Sequence, residues 1–274
     1  MNVNQLLHQY ESGDRDFAGV DLSHVDLSGV TLVDINLERA NLVGANLSRT
    51  FLTKANLSGA FLNWANLQFA KLSEGQLVDT DLTKAKLSGA FMVKSNLARS
   101  RLSGADLCHA NLRGANLERA NLCGARLLGV NLRNANLQGA NLNWANLGGA
   151  RLSGALLQGI FLHETDLSAA FLNGVDLSAL DLTGVNLSEA KLSGANLNSA
   201  NLTHANLERA FLHSANLQWS NVSYANFTQS NLSNARMFGL KAEATNWSEA
   251  IMPEGGQPYL QLQTEPGRLS AHRN

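Results

Sequence analysis

The chain has 274 residues, 16% of them charged, and a formal net charge of −1. That balance excludes a chain-wide acidic polyanion and a uniformly basic nucleic-acid binder. Two cysteines, Cys108 and Cys123, make no disulfide framework, and no apolar run reaches the roughly 18 residues a membrane-spanning helix needs.

Three segments follow in chain order, and their boundaries are residues 1–16, 17–252 and 253–274. In the first, Leu6, Leu7 and Tyr10 fall on one helical face after Asn4, so the pattern predicts a short helix over 4–10 with Asn4 as N-cap. The absence of a basic stretch followed by an apolar one gives no sign of a signal peptide, and the expected location is the cytoplasm. The last segment holds all three prolines, Pro253, Pro258 and Pro266, and reads as a flexible tail.

Between them a five-residue period rules. Every fifth residue from Leu22 to Met237 is Leu, except at Met92, Val222, Phe227 and Met237, and Phe17 extends the row backward. With this residue as i, position i−2 is small, usually Ala, and i−1 is mostly Asn or Asp. Position i+2 holds 17 of the 23 glycines. A helix would scatter such leucines around its circumference, because five residues turn it by about 500°. A strand would send successive leucines to opposite faces, because its side-chain period is two. A chain that turns a corner every five residues points every i residue inward, and four corners close a square coil of about 20 residues. Such corners suit Gly and Asn or Asp, and the rarity of Pro keeps the N–H groups that join one coil to the next.

Runs such as Ala40-Asn41-Leu42-Val43-Gly44 and Ala115-Asn116-Leu117-Glu118-Arg119 resemble the pentapeptide-repeat family. The resemblance covers residues 17–252. It implies an all-β fold, a right-handed quadrilateral parallel β-helix with i and i−2 inside and i−1, i+1 and i+2 outside. Some 12 coils spaced ~4.8 Å apart would make a rod roughly 55 Å long. Solenoid ends must be covered, which the N-terminal helix and Trp247 are expected to do. Ile160 and Leu180 are bulky residues at i−2, 20 apart, and should stack directly on one another.

Chemistry is harder to find. The repeat histidines His24, His109, His163, His204 and His213 all fall at i+1 or i+2 and are expected to face solvent. A convex prism offers no preorganised, desolvated site, so no enzyme activity and no cofactor are expected. Cys108 and Cys123 lack metal-ligand spacing and read as surface thiols.

Charge is unevenly placed. Residues 84–151 hold ten bases against Asp106 and Glu118. Folded at 20 residues per coil, Lys94, Arg113 and Arg133 share a corner with Arg151 near it, and Arg99, Arg101 and Arg119 share another. Phe replaces Asn or Asp at i−1 in two sets, Phe51-Lys71-Phe91 and Phe171-Lys191-Phe211, each stacked at 20-residue steps. These cations and Phe51, Phe91, Phe171 and Phe211 form the candidate interaction surface for a protein partner of acidic character. The expected function is a non-catalytic rod-shaped scaffold for protein–protein interaction, with pairing to a second copy open. Some members of the resembled family mimic DNA and protect or inhibit type II topoisomerases such as DNA gyrase. That alternative implies a strongly acidic surface, which this chain lacks. Direct nucleic-acid binding is disfavoured because the basic stretch holds little aromatic interleaving, with Phe91 and Trp144 its aromatic residues.

Overall fold

The computed structural model describes residues 1–254, and the tail expected over 253–274 lies outside the described residues from 255 onward. After helix α1 (Val3–Glu11) the chain turns every five residues, and residue n pairs in parallel with residue n+20. Four ladders result. They start at Asp16, Asp21, Asp26 and Thr31 and define the first, second, third and fourth faces of a square coil. Each coil meets the next through single bridges at i−1, not through extended strands, because a corner on either side leaves only one residue per face fully extended.

The physical cause is a division of labour within the pentapeptide. Residues at i and i−2 are buried and form one continuous core from Leu6 to Ala235; burying one Leu fully is worth roughly 1.5–3 kcal/mol against exposure. At i+2 the backbone takes positive φ whether or not the residue is glycine, as at Arg119 (φ 54°) and Trp64 (φ 62°). The N–H there still donates to the following coil, Arg119 to the Gln138 carbonyl at 2.9 Å. The i−1 amide does two jobs. Asn116 Oδ1 accepts from the Glu118 N–H at 3.1 Å and fixes the turn, while its Nδ2 donates to Asn96 Oδ1 one coil earlier at 3.2 Å.

Both ends depart from the repeat. Helix α1 is capped by Asn2, not Asn4: Asn2 Oδ1 accepts from the Gln5 N–H (2.9 Å) and Gln5 Oε1 accepts from the Asn2 N–H (3.2 Å). Asn4 could not do this, since the residue three further on is Leu7, which has no side-chain acceptor. Leu6 is buried against the core, and the Tyr10 hydroxyl donates to the Val33 carbonyl at 2.9 Å. At the far end Trp247 stacks on Phe227, with ring centroids 4.6 Å apart. Met237, Leu240 and Met252 around it are only partly buried.

One break interrupts the ladders among the described residues. Leu156 does not pair with Asp176, nor Phe161 with Asp181, although the third face (Asp166 with Asn186) and the fourth face (Phe171 with Lys191) stay joined. The N–H groups of Leu157, Gly159, Leu162 and Glu164 make no backbone bond to the next coil, whereas Leu137, Gly139, Leu142 and Trp144 one coil earlier all do, at 2.8–3.0 Å. Ile160 and Leu180 occupy the corner between the two parted faces, where the preceding coils place Ala140 and Ala120. Two bulky i−2 residues stacked on a corner built for Ala wedge the coils apart there. Leu156 and Phe161 at i−1 also bring no amide to bridge the gap.

Candidate interaction surface

The four ladders leave only outward-facing positions for chemistry. Among the described residues no group of three His, Cys, Asp or Glu side chains could hold a metal ion. The five repeat histidines are exposed. Cys108, read as a surface thiol, is instead buried at i+1, in a column with Ser88 one coil below and Leu128 one coil above. Burial is the main reason its thiol is pushed above its ordinary pKa, and Asp106 adds to the shift. A buried, protonated thiol is a poor nucleophile.

The basic stretch divides into two unlike halves. On the first and second faces its arginines are paired, and Lys84 Nζ lies over the Trp64 ring at 4.5 Å. Arg99 lies bidentate on Asp79 one coil earlier, Nε to Oδ1 at 2.8 Å and the second guanidinium nitrogen to Oδ2 at 2.7 Å. Arg101 reaches Asp81 at 3.3 Å and Arg119 reaches Glu118 at 4.0 Å. The Arg99 hydrogen bonds hold the Asp79 carboxyl below its ordinary range and raise Arg99 in turn. Arg99 and Arg101 thus meet carboxylates of the adjacent coil, and Arg119 meets its neighbour in the same coil.

The fourth face differs. Between residues 16 and 252, Lys54, Lys71, Lys94, Arg113, Arg133, Arg151 and Lys191 all lie on it, against only Asp34 and Glu74. The other three faces together carry 11 bases and 16 acids between residues 16 and 252. None of the seven fourth-face cations makes an ion pair with another described residue, and Lys54, Lys94, Arg113, Arg133 and Arg151 are exposed.

Both Phe-Lys-Phe sets lie on this same face. Lys71 Nζ sits 3.3 Å from the Phe91 ring centroid and Lys191 Nζ 3.5 Å from that of Phe211. Each lysine lies over the later of its two rings, a cation–π contact worth about 0.5–1 kcal/mol at an exposed site. Phe51, Phe91, Phe171 and Phe211 remain 38–44% exposed. A shallow groove at the corner with the third face is lined by Gly29, Arg49, Phe51, Phe69, Lys71 and Phe91. Phe69 lies over Gly89, where an added Cβ would come within 2.5 Å of its ring.

The structure therefore brings Lys94, Arg113, Arg133 and Arg151 together with all four candidate phenylalanines, and places Arg99, Arg101 and Arg119 elsewhere in closed ion pairs. Sequence reasoning had the parts but missed their coincidence. The signal was present, because Phe51, Lys71, Phe91, Arg151, Phe171, Lys191 and Phe211 share one position in the 20-residue count. Phe69 was missed because it belongs to the third face and meets the others only around a corner.

A family model described as pentapeptide repeats matches in eight copies between residues 21 and 241, leaving out only residue 180 of that span. No curated protein matches. Among solved structures, the chain is similar to HetL, a pentapeptide repeat protein involved in heterocyst differentiation regulation from the cyanobacterium Nostoc sp. strain PCC 7120. The two are 30% identical over 93% of this chain and 99% of that one, with a TM-score of 0.36. A pentapeptide repeat protein from the Arabidopsis thaliana thylakoid lumen is 30% identical over 36% of this chain and 68% of that one, with a TM-score of 0.35. QnrB1, a plasmid-mediated fluoroquinolone resistance protein, is 17% identical over 73% of this chain and 92% of that one, with a TM-score of 0.40.

Proposed function

The chain belongs to the pentapeptide-repeat family, and from that premise we propose that it is a non-catalytic, rod-shaped scaffold that binds another protein through its outer faces. The coil is taken to wind with the right hand that membership implies, and the cytoplasm to be its location. No helix among the described residues is long and apolar enough to cross a membrane.

The observation that carries the reading is the one-sided surface. Seven bases and four exposed phenylalanines share the fourth face, and among the described residues no acid pairs with those bases. Surface charge this unevenly placed acts on association with other molecules, not on the fold. The topoisomerase reading has less support, because acids on the other three faces alternate with Asn, Phe and paired Arg and form no continuous acidic row.

The test is a crosslinked pull-down analysed by mass spectrometry, comparing the native chain with Arg113→Glu/Arg133→Glu and with Arg99→Glu/Arg101→Glu. A partner captured by the native chain and lost with the first variant only supports the scaffold reading. Identical capture by all three forms would contradict a role for the fourth face. Inhibition of DNA gyrase supercoiling at low protein concentration would favour the topoisomerase reading instead.

A further inference from the structure

Along the rod axis the fourth face follows a simple order: Phe51, Lys71, Phe91, then Lys94, Arg113, Arg133 and Arg151, then Phe171, Lys191, Phe211. An apolar step stands at each end of a cationic centre. We infer that this face is the docking surface for an extended acidic segment of a partner polypeptide, lying along the rod axis, with apolar side chains flanking its acidic middle. The inference rests on the scaffold reading above and adds the class and orientation of the partner.

Dimensions support an extended chain. Phe91 and Phe171 are four coils apart, about 19 Å at ~4.8 Å per coil, which an extended peptide crosses in about six residues at ~3.4 Å each. Four cations, Lys94, Arg113, Arg133 and Arg151, lie between those two rings, and guanidinium groups take carboxylates in bidentate fashion. The half-exposed rings at either side offer apolar area for the flanks.

Charge complementarity selects an acidic occupant, and shape selects a polypeptide over nucleic acid. The cationic strip is one face wide, about 10 Å for a side of three extended peptide steps. On the neighbouring faces beside the strip, Arg99, Arg101 and Arg126 are already engaged with Asp79, Asp81 and Asp106, so a duplex overhanging the strip would gain few further free cations. Single-stranded nucleic acid binds by stacking bases on free aromatic faces. Here Lys71 and Lys191 already cover the Phe91 and Phe211 rings.

The test uses a fluorescein-labelled peptide of two leucines, five glutamates and two leucines, titrated with the full chain and followed by anisotropy at low and high salt. Its comparators are a peptide of the same length with glutamine for glutamate and a labelled single-stranded oligonucleotide. The acidic peptide should bind, weaken with salt, and lose about tenfold or more in affinity with Arg113→Glu/Arg133→Glu. Phe91→Ala/Phe171→Ala should weaken it severalfold, and Arg99→Glu/Arg101→Glu should leave it unchanged. All substitutions are at outward positions, and circular dichroism establishes that each variant keeps the native spectrum. No binding of the acidic peptide, equal loss with the Arg99/Arg101 variant, or tighter binding of the oligonucleotide than of the peptide would each overturn the inference. If the peptide fails while the pull-down still yields a partner lost with Arg113→Glu/Arg133→Glu, the scaffold reading stands and only the partner class falls.

Discussion

The coils between residues 96 and 151 and those between 152 and 191 use the same five-residue rule, yet only the first set is joined on all four faces. In the regular coils every i−2 residue is Ala, Ser or Val, and asparagine amides run from coil to coil, as from Asn136 through Asn116 to Asn96. In the split coils Ile160 and Leu180 stack at a single corner, and the amide row on the first face stops at Leu156. The comparison teaches that the leucine column alone does not join the coils. Leu157, Leu162 and Leu177 at the split stay at or below 4% exposure, so the inner column persists while the outer ladder fails. A single bulky i−2 residue is tolerated, since Ile35 below Ala55 leaves the Asn36–Asn56 bridge intact; two stacked at one corner keep the coils from bonding distance.

Several substitutions would sharpen or break that contrast. The largest effect is expected from Leu132→Arg in the regular region, where a fully buried side chain would become an unpaired charge. Loss of the cooperative melting transition is expected, whereas Arg133→Ala next to it should melt like the native chain. Equal melting of the two would remove the basis for the inward row.

Leu142→Ala, also in the regular region, should cost about 2–5 kcal/mol by chemical denaturation, as usual for a buried leucine. Leu180→Ala should cost far less, because the cavity it opens relieves the overfilled corner. If Leu180→Ala were as costly as Leu142→Ala, the wedge explanation would be wrong.

Hydrogen exchange reads the same difference without mutation. The amides of Leu157, Gly159, Leu162 and Glu164 should exchange at least about tenfold faster than those of Leu137, Gly139, Leu142 and Trp144, which hold ladder bonds. Uniform protection across both coils would mean that the two parted faces close in solution.

The smallest effect concerns the paired side of the basic stretch. Folding lowers the Asp79 carboxyl through its bonds to Arg99, so the native state holds the charged form more tightly than the unfolded chain does. Its contribution is therefore complete above the unfolded pKa of about 3.9 and is lost as pH falls through the lower folded value. Asp79→Asn should be slightly less stable than the native chain at neutral pH, with the difference vanishing in acid. Because both side chains are largely exposed, the difference should be small and should shrink with salt.

Much of this was legible beforehand. The inward row, the small residues at i−2 and the stacking of Phe51, Lys71 and Phe91 all follow from counting by five and by 20. The stacking of Ile160 on Leu180 was equally countable, but its result was not. Whether a corner absorbs two bulky residues or parts around them depends on how the neighbouring leucines pack. The N-cap was misplaced by two residues because both Asn2 and Asn4 are capping types, and only the reciprocal bond from Gln5 decides between them. Cys108 was misjudged because i+1 is outward by rule, yet its side chain is buried in the folded column.

By itself, then, the sequence determined the coil, because a repeat without insertions leaves one geometry in which every leucine is inside. It also determined the address of each side chain on the four faces. Tertiary structure alone decided which charges are spent on one another and which stay free. Lys94 and Arg99 each have a carboxylate 20 residues earlier, Glu74 and Asp79, but only Arg99 closes on its carboxylate. Ion pairing is a matter of a few ångströms between neighbouring coils, and so is the parting of the ladder at Ile160. Neither is a property of the residue alone.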